Sequence, residues 1–283
     1  MGDSIFSGLE GFGFSGMEGM DIFEKPAEKE SAKASAQAEK PKIPVYTEKD
    51  FLIDKTAECP ICDSKFKYRA VKASGIKMIG TDRDLRPRHD YIDVSKYDVI
   101  MCPMCGYTAL TRFFPNILVS QKAKVKEKIC SKFRMQPSPG NEYSYDEAIE
   151  RYKMALLNAV VKGGKPSEKA YVCLKTSWMY RGKAEEVGEA SPLYKELKAT
   201  ELEFTKNAYE GFCQAVASES FPMCGMDEIT VDYLLANLAF MTEHNDVCSK
   251  LIGKILTSNV ASARIKDKTR DLKEEVLKKL KNK

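Results

Sequence analysis

Several residues and patterns on which enzymes depend are scarce or missing in this 283-residue sequence. It contains two histidines and one tryptophan. It shows no Ser-His-Asp, P-loop, dinucleotide-binding or histidine-based metal pattern. Because so few side chains could serve as a general base near neutral pH, no enzymatic activity is expected.

Long apolar runs are missing as well. No segment approaches the roughly 18 apolar residues that a membrane helix needs. The first residues, M-G-D-S-I-F, lack the basic region and the long apolar core of a secretory signal. We therefore expect a cytoplasmic protein that does not contact membranes.

Neither sign of charge dominates the sequence. Its 45 basic and 41 acidic residues leave a net charge of +4, which implies no strong attraction to nucleic acid by itself. With 43% hydrophobic and 30% charged residues, the composition is that of a globular chain. The length is sufficient for two domains.

Local patterns divide the chain into three segments. Residues 1–45 join a glycine-rich stretch to a Lys/Glu/Ala/Ser/Pro linker, which predicts a disordered tail. Residues 46–115 contain short alternating runs between Gly and Pro, which predict strands. Residues 116–283 have apolar positions at helical spacing, with breaks that fit hairpins of tetratricopeptide size. The predicted fold class is α+β, with a small zinc-ribbon-like β head followed by an all-α, tetratricopeptide-like helical-hairpin domain.

The strongest chemical signal is a pair of C-P-x-C knuckles at 59–62 and 102–105, the second followed by Gly106. Nine cysteines cannot all pair as disulfides, and without a secretory signal their spacing is interpreted first as metal binding. The two-residue gap lets both sulfurs of a knuckle face one ion, and Zn²⁺ takes four ligands tetrahedrally. We predict one structural Zn²⁺ per chain, in a full coordination sphere, held by Cys59, Cys62, Cys102 and Cys105.

The other cysteines show no second cluster. Those in helical stretches are interpreted as small core residues: Cys173, Cys213 and Cys248. Cys130 has no partner in the spacing, and Cys224 lacks the neighbouring histidine of a reactive thiol. His89 lies between the knuckles and is interpreted as a surface residue, because four thiolates already fill the sphere.

The segment T-D-R-D-L-R-P-R-H-D, also between the knuckles, alternates arginines with aspartates. Arg83, Arg86 and Arg88 could bind an anion or a partner's carboxylate, since guanidinium groups bind carboxylates through two hydrogen bonds. The alternative is a loop that neutralises its own charge in solvent.

Basic residues concentrate in two predicted helices, 121–134 and 264–283. Each has a regular apolar seam, so we interpret the charges mainly as a solvated face. The alternative is a nucleic-acid-binding surface formed by the zinc ribbon and helix 121–134.

Several of these motifs, in this order, resemble the bacterial domain of unknown function 2225 family. They are C-P-I-C, the D-R-D-L-R-P loop, Y-D-V-I-M-C-P-M-C-G-Y-T-A, A-Y-V-C-L-K-T-S-W-M-Y-R and F-P-M-C-G-M-D-E-I-T. The resemblance covers about residues 50–280. It implies a four-cysteine metal-binding head with zinc at Cys59, Cys62, Cys102 and Cys105, followed by tetratricopeptide-like helices. It implies no activity.

The expected function is that of a non-catalytic scaffold that binds a protein or peptide, because stacked helical pairs form grooves that take such partners. The alternative is a nucleic-acid-binding regulator that uses the ribbon and helix 121–134. A continuous basic stripe would favour nucleic acid, whereas an apolar or mixed groove would favour a peptide.

Overall fold

The computed structural model describes residues 46–72, 74–134, 140 and 142–281. These residues belong to one compact unit. The predicted tail and linker, residues 1–45, lie outside the described range.

Six short strands in the described chain form three separate antiparallel pairs. The first and third pairs are hairpins whose connecting loops contain the two cysteine knuckles. The pairs are β1 (Leu52–Glu58) with β2 (Lys65–Val71), β3 (Met78–Thr81) with β4 (Pro87–His89), and β5 (Val99–Met101) with β6 (Thr108–Leu110).

Helices follow the strands. A single π-helical turn, Lys126–Cys130, continues the first helix. Within the described residues the α-helices are α1 (Val119–Val125), α2 (Tyr145–Val161), α3 (Pro166–Val187), α4 (Tyr194–Ser218), α5 (Glu228–Met241), α6 (Asn245–Thr257) and α7 (Ala263–Lys281).

The sequence explains where several helices begin. Ser144 and Glu147 form a capping box at the start of α2, and Pro166 occupies the first turn of α3, where its missing N–H costs no hydrogen bond. From α2 onward each helix packs against the next, as short connections between antiparallel helices require. Among the described helices, none is both long and apolar enough to span a membrane.

Packing is continuous across the change from strands to helices. Val99 and Leu110 of the third strand pair belong to the main core, together with Trp178 of α3 and Leu234 of α5. A second apolar cluster surrounds the cysteine knuckles, and a third contains Phe51, Ile92, Tyr97 and Tyr143. The predicted α+β class, with antiparallel strand pairs followed by a helical region, is confirmed.

Candidate metal centre and the adjoining groove

The two knuckles have the same backbone geometry. In the first, Asp63 N–H donates to the Cys59 carbonyl at 2.9 Å; in the second, Gly106 N–H donates to the Cys102 carbonyl at 3.0 Å. Asp63 and Gly106 both have positive φ, 58° and 76°. This turn reverses the chain so that both cysteines of a knuckle point inward.

The four sulfurs meet in one cluster. Their Sγ atoms all lie within 4.8 Å of one another. The Cys59–Cys105 and Cys62–Cys102 Sγ–Sγ distances are 3.6 Å and 3.7 Å. With metal–sulfur bonds of about 2.3 Å, a tetrahedral ion would separate its sulfurs by about 3.8 Å. The predicted residues therefore form a cluster that is compatible with a metal ion.

Close packing of the sulfurs lowers the pKa of one thiol and raises the pKa of two others. Hydrogen bonds from the Cys105 and Cys59 thiols lower the pKa of Cys102. The same contact with Cys102 raises the pKa of Cys105 and of Cys59. Without a cation, four packed sulfurs cannot all carry negative charge, whereas a divalent ion would stabilise the thiolate form of each.

Buried polar contacts fix the second knuckle from outside. Asn158 of α2 donates its side-chain amide to the Gly106 carbonyl at 3.2 Å, and the Thr108 hydroxyl donates to the same carbonyl at 3.0 Å. The buried Tyr107 hydroxyl donates to the Phe114 carbonyl at 3.1 Å. Such outer contacts orient metal ligands, and here they connect the centre to α2.

Cys130 lies beside the centre, which the sequence did not indicate. It ends the π-helical turn and packs against the apolar cluster around the knuckles. Burial raises the pKa of the Cys130 thiol above its ordinary value. Its position depends on how α1 packs on the head, for which cysteine spacing gives no signal.

The remaining cysteines are scattered, and the interpretation of Cys213 as a core residue is wrong. Cys173 and Cys248 are buried as expected, but Cys213 is exposed on α4. Cys224 is half-buried and donates its thiol to the Ser167 carbonyl at 3.3 Å. Helical periodicity placed Cys213 near the apolar face of α4. In the structure the adjacent Phe212 is buried, whereas Cys213 lies on the solvent-exposed side.

Each of the three loop arginines has a carboxylate partner in the chain. Arg83 pairs with Glu275 of α7. Arg86, only 1% exposed, pairs with Asp93 at 2.7 Å. Arg88 binds both carboxylate oxygens of Asp82 at 2.7 Å. An external anion would have to displace these groups, so binding of a partner by this loop stays a prediction.

Arg181, at the end of the A-Y-V-C-L-K-T-S-W-M-Y-R motif, anchors the same loop to α3. Its guanidinium bonds to Asp82 at 2.9 Å and to Asp84 at 2.6 Å. Asp84 is 1% exposed and also accepts the Trp178 indole N–H at 2.9 Å. The loop is thus fixed to the helical core by buried charge pairs.

Two carboxylates of this network are stabilised in their ionised form. Burial alone would raise the pKa of Asp82, but hydrogen bonds from Arg88 and Arg181 outweigh it and lower the pKa below the ordinary value. Burial opposes ionisation of Glu185 in the same way, and the Arg88 hydrogen bonds again lower its pKa. His89, interpreted as a surface residue, is half-buried in β4.

A groove of about 820 Å³ adjoins the four-cysteine cluster. One wall is the segment from Lys128 to Arg134, and the other is α2. Its apolar lining comes from the head, the π-helical segment and α2: Met101, Ile129, Phe133, Met154 and Leu157. Its charged lining residues are Lys128, Lys132, Arg134, Arg151 and Lys153, against Glu147 and Glu150. The basic stretch predicted at 121–134 therefore contributes to a mixed groove.

The fold and the cysteine cluster define a protein with a four-cysteine, metal-compatible head packed on a helical body. A family model described as an uncharacterised protein conserved in bacteria (DUF2225) matches residues 52–276, so the chain belongs to this family. The resemblance drawn from the motifs is thereby confirmed. Neither a curated protein nor a solved structure matches the chain.

Proposed function

We propose that this protein is a zinc-containing, non-catalytic scaffold that binds a protein or peptide partner. The observation that carries the proposal is the groove beside the cysteine centre, because its mixed lining of apolar and charged side chains suits a peptide. Its volume lies within the range of about 300–1,000 Å³ typical of ligand sites.

Zinc is the proposed ion because four cysteine sulfurs within 4.8 Å of one another match its four-thiolate structural sites. Such a sphere leaves no position for a substrate, so the ion's role is to hold the two hairpins together. Thiolate ligands require a reducing environment, which supports a cytoplasmic location.

In this proposal the zinc ribbon and the helical hairpins position the two walls of the groove. The zinc-ribbon-like head holds the first wall of the groove through Phe133, and the tetratricopeptide-like helices supply the second wall through α2. The groove thus lies where head and helices meet, while the expectation from sequence had placed partner binding along the stacked helices.

The experiment compares affinity capture by the wild-type protein and by the groove variant Leu157→Arg, with extracts of the native bacterium before and after nuclease treatment. Leu157 is 47% exposed on α2 and lines the groove. A protein retained by the wild type and lost by the variant is then purified and its binding reconstituted by calorimetry. Exposed Lys273→Glu on α7 is the matched control and retains the partner.

Nucleic-acid binding is the competing outcome of the same experiment. Capture that disappears on nuclease treatment would overturn the proposal. So would an affinity that falls about 10³-fold or more between 50 and 200 mM salt, since such a slope reports release of counterions from phosphates.

A further inference from the structure

We propose that the groove beside the four-cysteine centre binds a peptide segment that combines acidic side chains with a large apolar side chain. This inference rests on the proposed peptide-binding function and specifies the chemistry of the partner. It is carried by the charges of the groove and by what those charges contact.

Positive charge dominates the groove lining, with five basic residues against two acidic ones. One of the two acids is already engaged: the Glu147 carboxylate accepts the Ser144 N–H at 2.8 Å in the capping box of α2. The groove therefore has an excess of cations that an acidic partner would match.

The cations on α2 are held by aromatic rings. The Arg151 guanidinium lies 4.3 Å from the centre of the Tyr143 ring, and the Lys153 ammonium lies 5.6 Å from the Tyr180 ring. Cation–π contact positions a cation without neutralising its charge. Within the described chain, Lys128, Lys132, Arg151 and Lys153 have no carboxylate within 4 Å.

The loop arginines show the contrast. Arg86 and Arg88 are matched by Asp93, Asp82 and Glu185 within the chain. The groove thus contains lysines that have no carboxylate partner among the described residues, Lys128, Lys132 and Lys153, whereas the loop arginines are paired. We therefore place the recognition of an acidic partner in the groove.

Apolar residues, here called the floor, line the groove together with these cations. Met154 and Leu157 lie one helical turn apart on α2 and face Ile129 and Phe133 across the groove. Methionine adapts its shape to different partners, so the floor suits an inserted Phe, Leu or Met. A nucleic-acid surface would instead present aromatic rings for stacking along a basic track, whereas Phe133 is packed against Gly106.

Selection from a phage-displayed library of random dodecapeptides on the zinc-loaded, full-length protein tests the inference. We expect the selected peptides to be enriched in Asp and Glu next to Phe, Leu, Ile, Met or Trp. Resynthesised peptides should bind the double variant Lys128→Glu/Lys132→Glu about tenfold or more weakly, as measured by fluorescence anisotropy. Lys273→Glu, which reverses one charge on α7, should change the affinity by less than about twofold.

A second variant tests the floor separately. Leu157→Gln keeps the charges and removes the apolar contact, so it should weaken the same peptides by about fivefold or more. Circular dichroism and zinc content establish that each variant is folded.

Two results would overturn the inference while leaving a peptide-binding function intact. One is selected peptides without acidic enrichment. The other is peptides that bind Lys128→Glu/Lys132→Glu and Leu157→Gln as tightly as they bind the wild type. Failure to select any peptide, together with failure to capture a protein partner, would overturn the proposed function as well. Competition by a single-stranded RNA 20-mer that binds more tightly than every peptide would assign the groove to nucleic acid.

Discussion

The Phe133 ring lies directly against Gly106, such that a Cβ added at Gly106 would be 2.4 Å from Phe133 Cδ2. Gly106 completes the second knuckle with a φ of +76°, and Phe133 lines the groove. This contact joins the cysteine centre directly to the groove wall.

Gly106→Ala should destabilise the protein by about 2–5 kcal/mol. An alanine at positive φ costs about 1–2 kcal/mol, and overpacking against Phe133 adds about 1–3 kcal/mol. The measurement is the free energy of unfolding in urea.

Gly163→Ala is the control for backbone conformation. Gly163, just after α2, also has a positive φ, +67°, but a Cβ there would meet only Lys124 Nζ at 3.7 Å, an ordinary van der Waals contact. It should lose only the backbone contribution of about 1–2 kcal/mol. Equal losses in the two variants would show that the Phe133 contact adds nothing.

Cys59→Ser should reduce the metal content from one zinc per chain and loosen the head. Structural zinc contributes on the order of 10 kcal/mol to the folding of small sites. The knuckles share an apolar cluster with Val125 and Ile129, so the loss should extend to α1. Trp178 lies in the main core, and its fluorescence should change little.

Elemental analysis and X-ray absorption check this prediction, with exposed Cys213→Ser as the control that keeps its zinc. Iron in place of zinc, or nitrogen or oxygen among the ligands, would contradict it. A complete loss of helical circular dichroism in Cys59→Ser would show that the helices depend on the metal.

The cysteine cluster could be predicted from sequence because its geometry is local. The C-P-x-C spacing and the positive-φ residue after each knuckle fix the turn within five residues, as Asp63 and Gly106 show. The helices were predictable for a similar reason, since apolar periodicity and caps such as Ser144 act within one or two turns.

Contacts between distant residues could not be predicted in this way. Arg181 reaches Asp84 across 97 positions, and Cys130 reaches the centre only through the packing of α1. The groove arises from the same kind of packing, because its two walls belong to different helices. Charge composition alone could not show that the arginines of the loop, and not the lysines of the groove, have carboxylate partners within the chain.

Arg181→Met should cost about 3–5 kcal/mol of unfolding free energy, because it leaves the Asp84 carboxylate buried without its cation. Trp178 fluorescence should shift as well, since its indole N–H donates to Asp84. Arg83→Met is the control: its pair with Glu275 is partly exposed, so less than about 1 kcal/mol should be lost. Equal losses would contradict a structural role for the buried pair.

Arg88→Gln should make the stability of the protein less dependent on pH in the acid range. Arg88 helps to lower the pKa values of Asp82 and Glu185 below their ordinary values of 3.8 and 4.5. A lowered pKa in the folded state adds stability above the unfolded-state pKa, and this stability is lost as the pH falls through the folded-state value. Wild type and Arg88→Gln should therefore differ most at neutral pH and converge as the pH falls below about 3.8.

Urea unfolding at a series of pH values from 7 to 3 measures the difference in unfolding free energy between the two proteins. Arg270→Gln removes an exposed pair with Asp267 on α7 and should parallel the wild type throughout. A constant gap between wild type and Arg88→Gln at every pH would mean that Arg88 stabilises the protein through packing and not through charge.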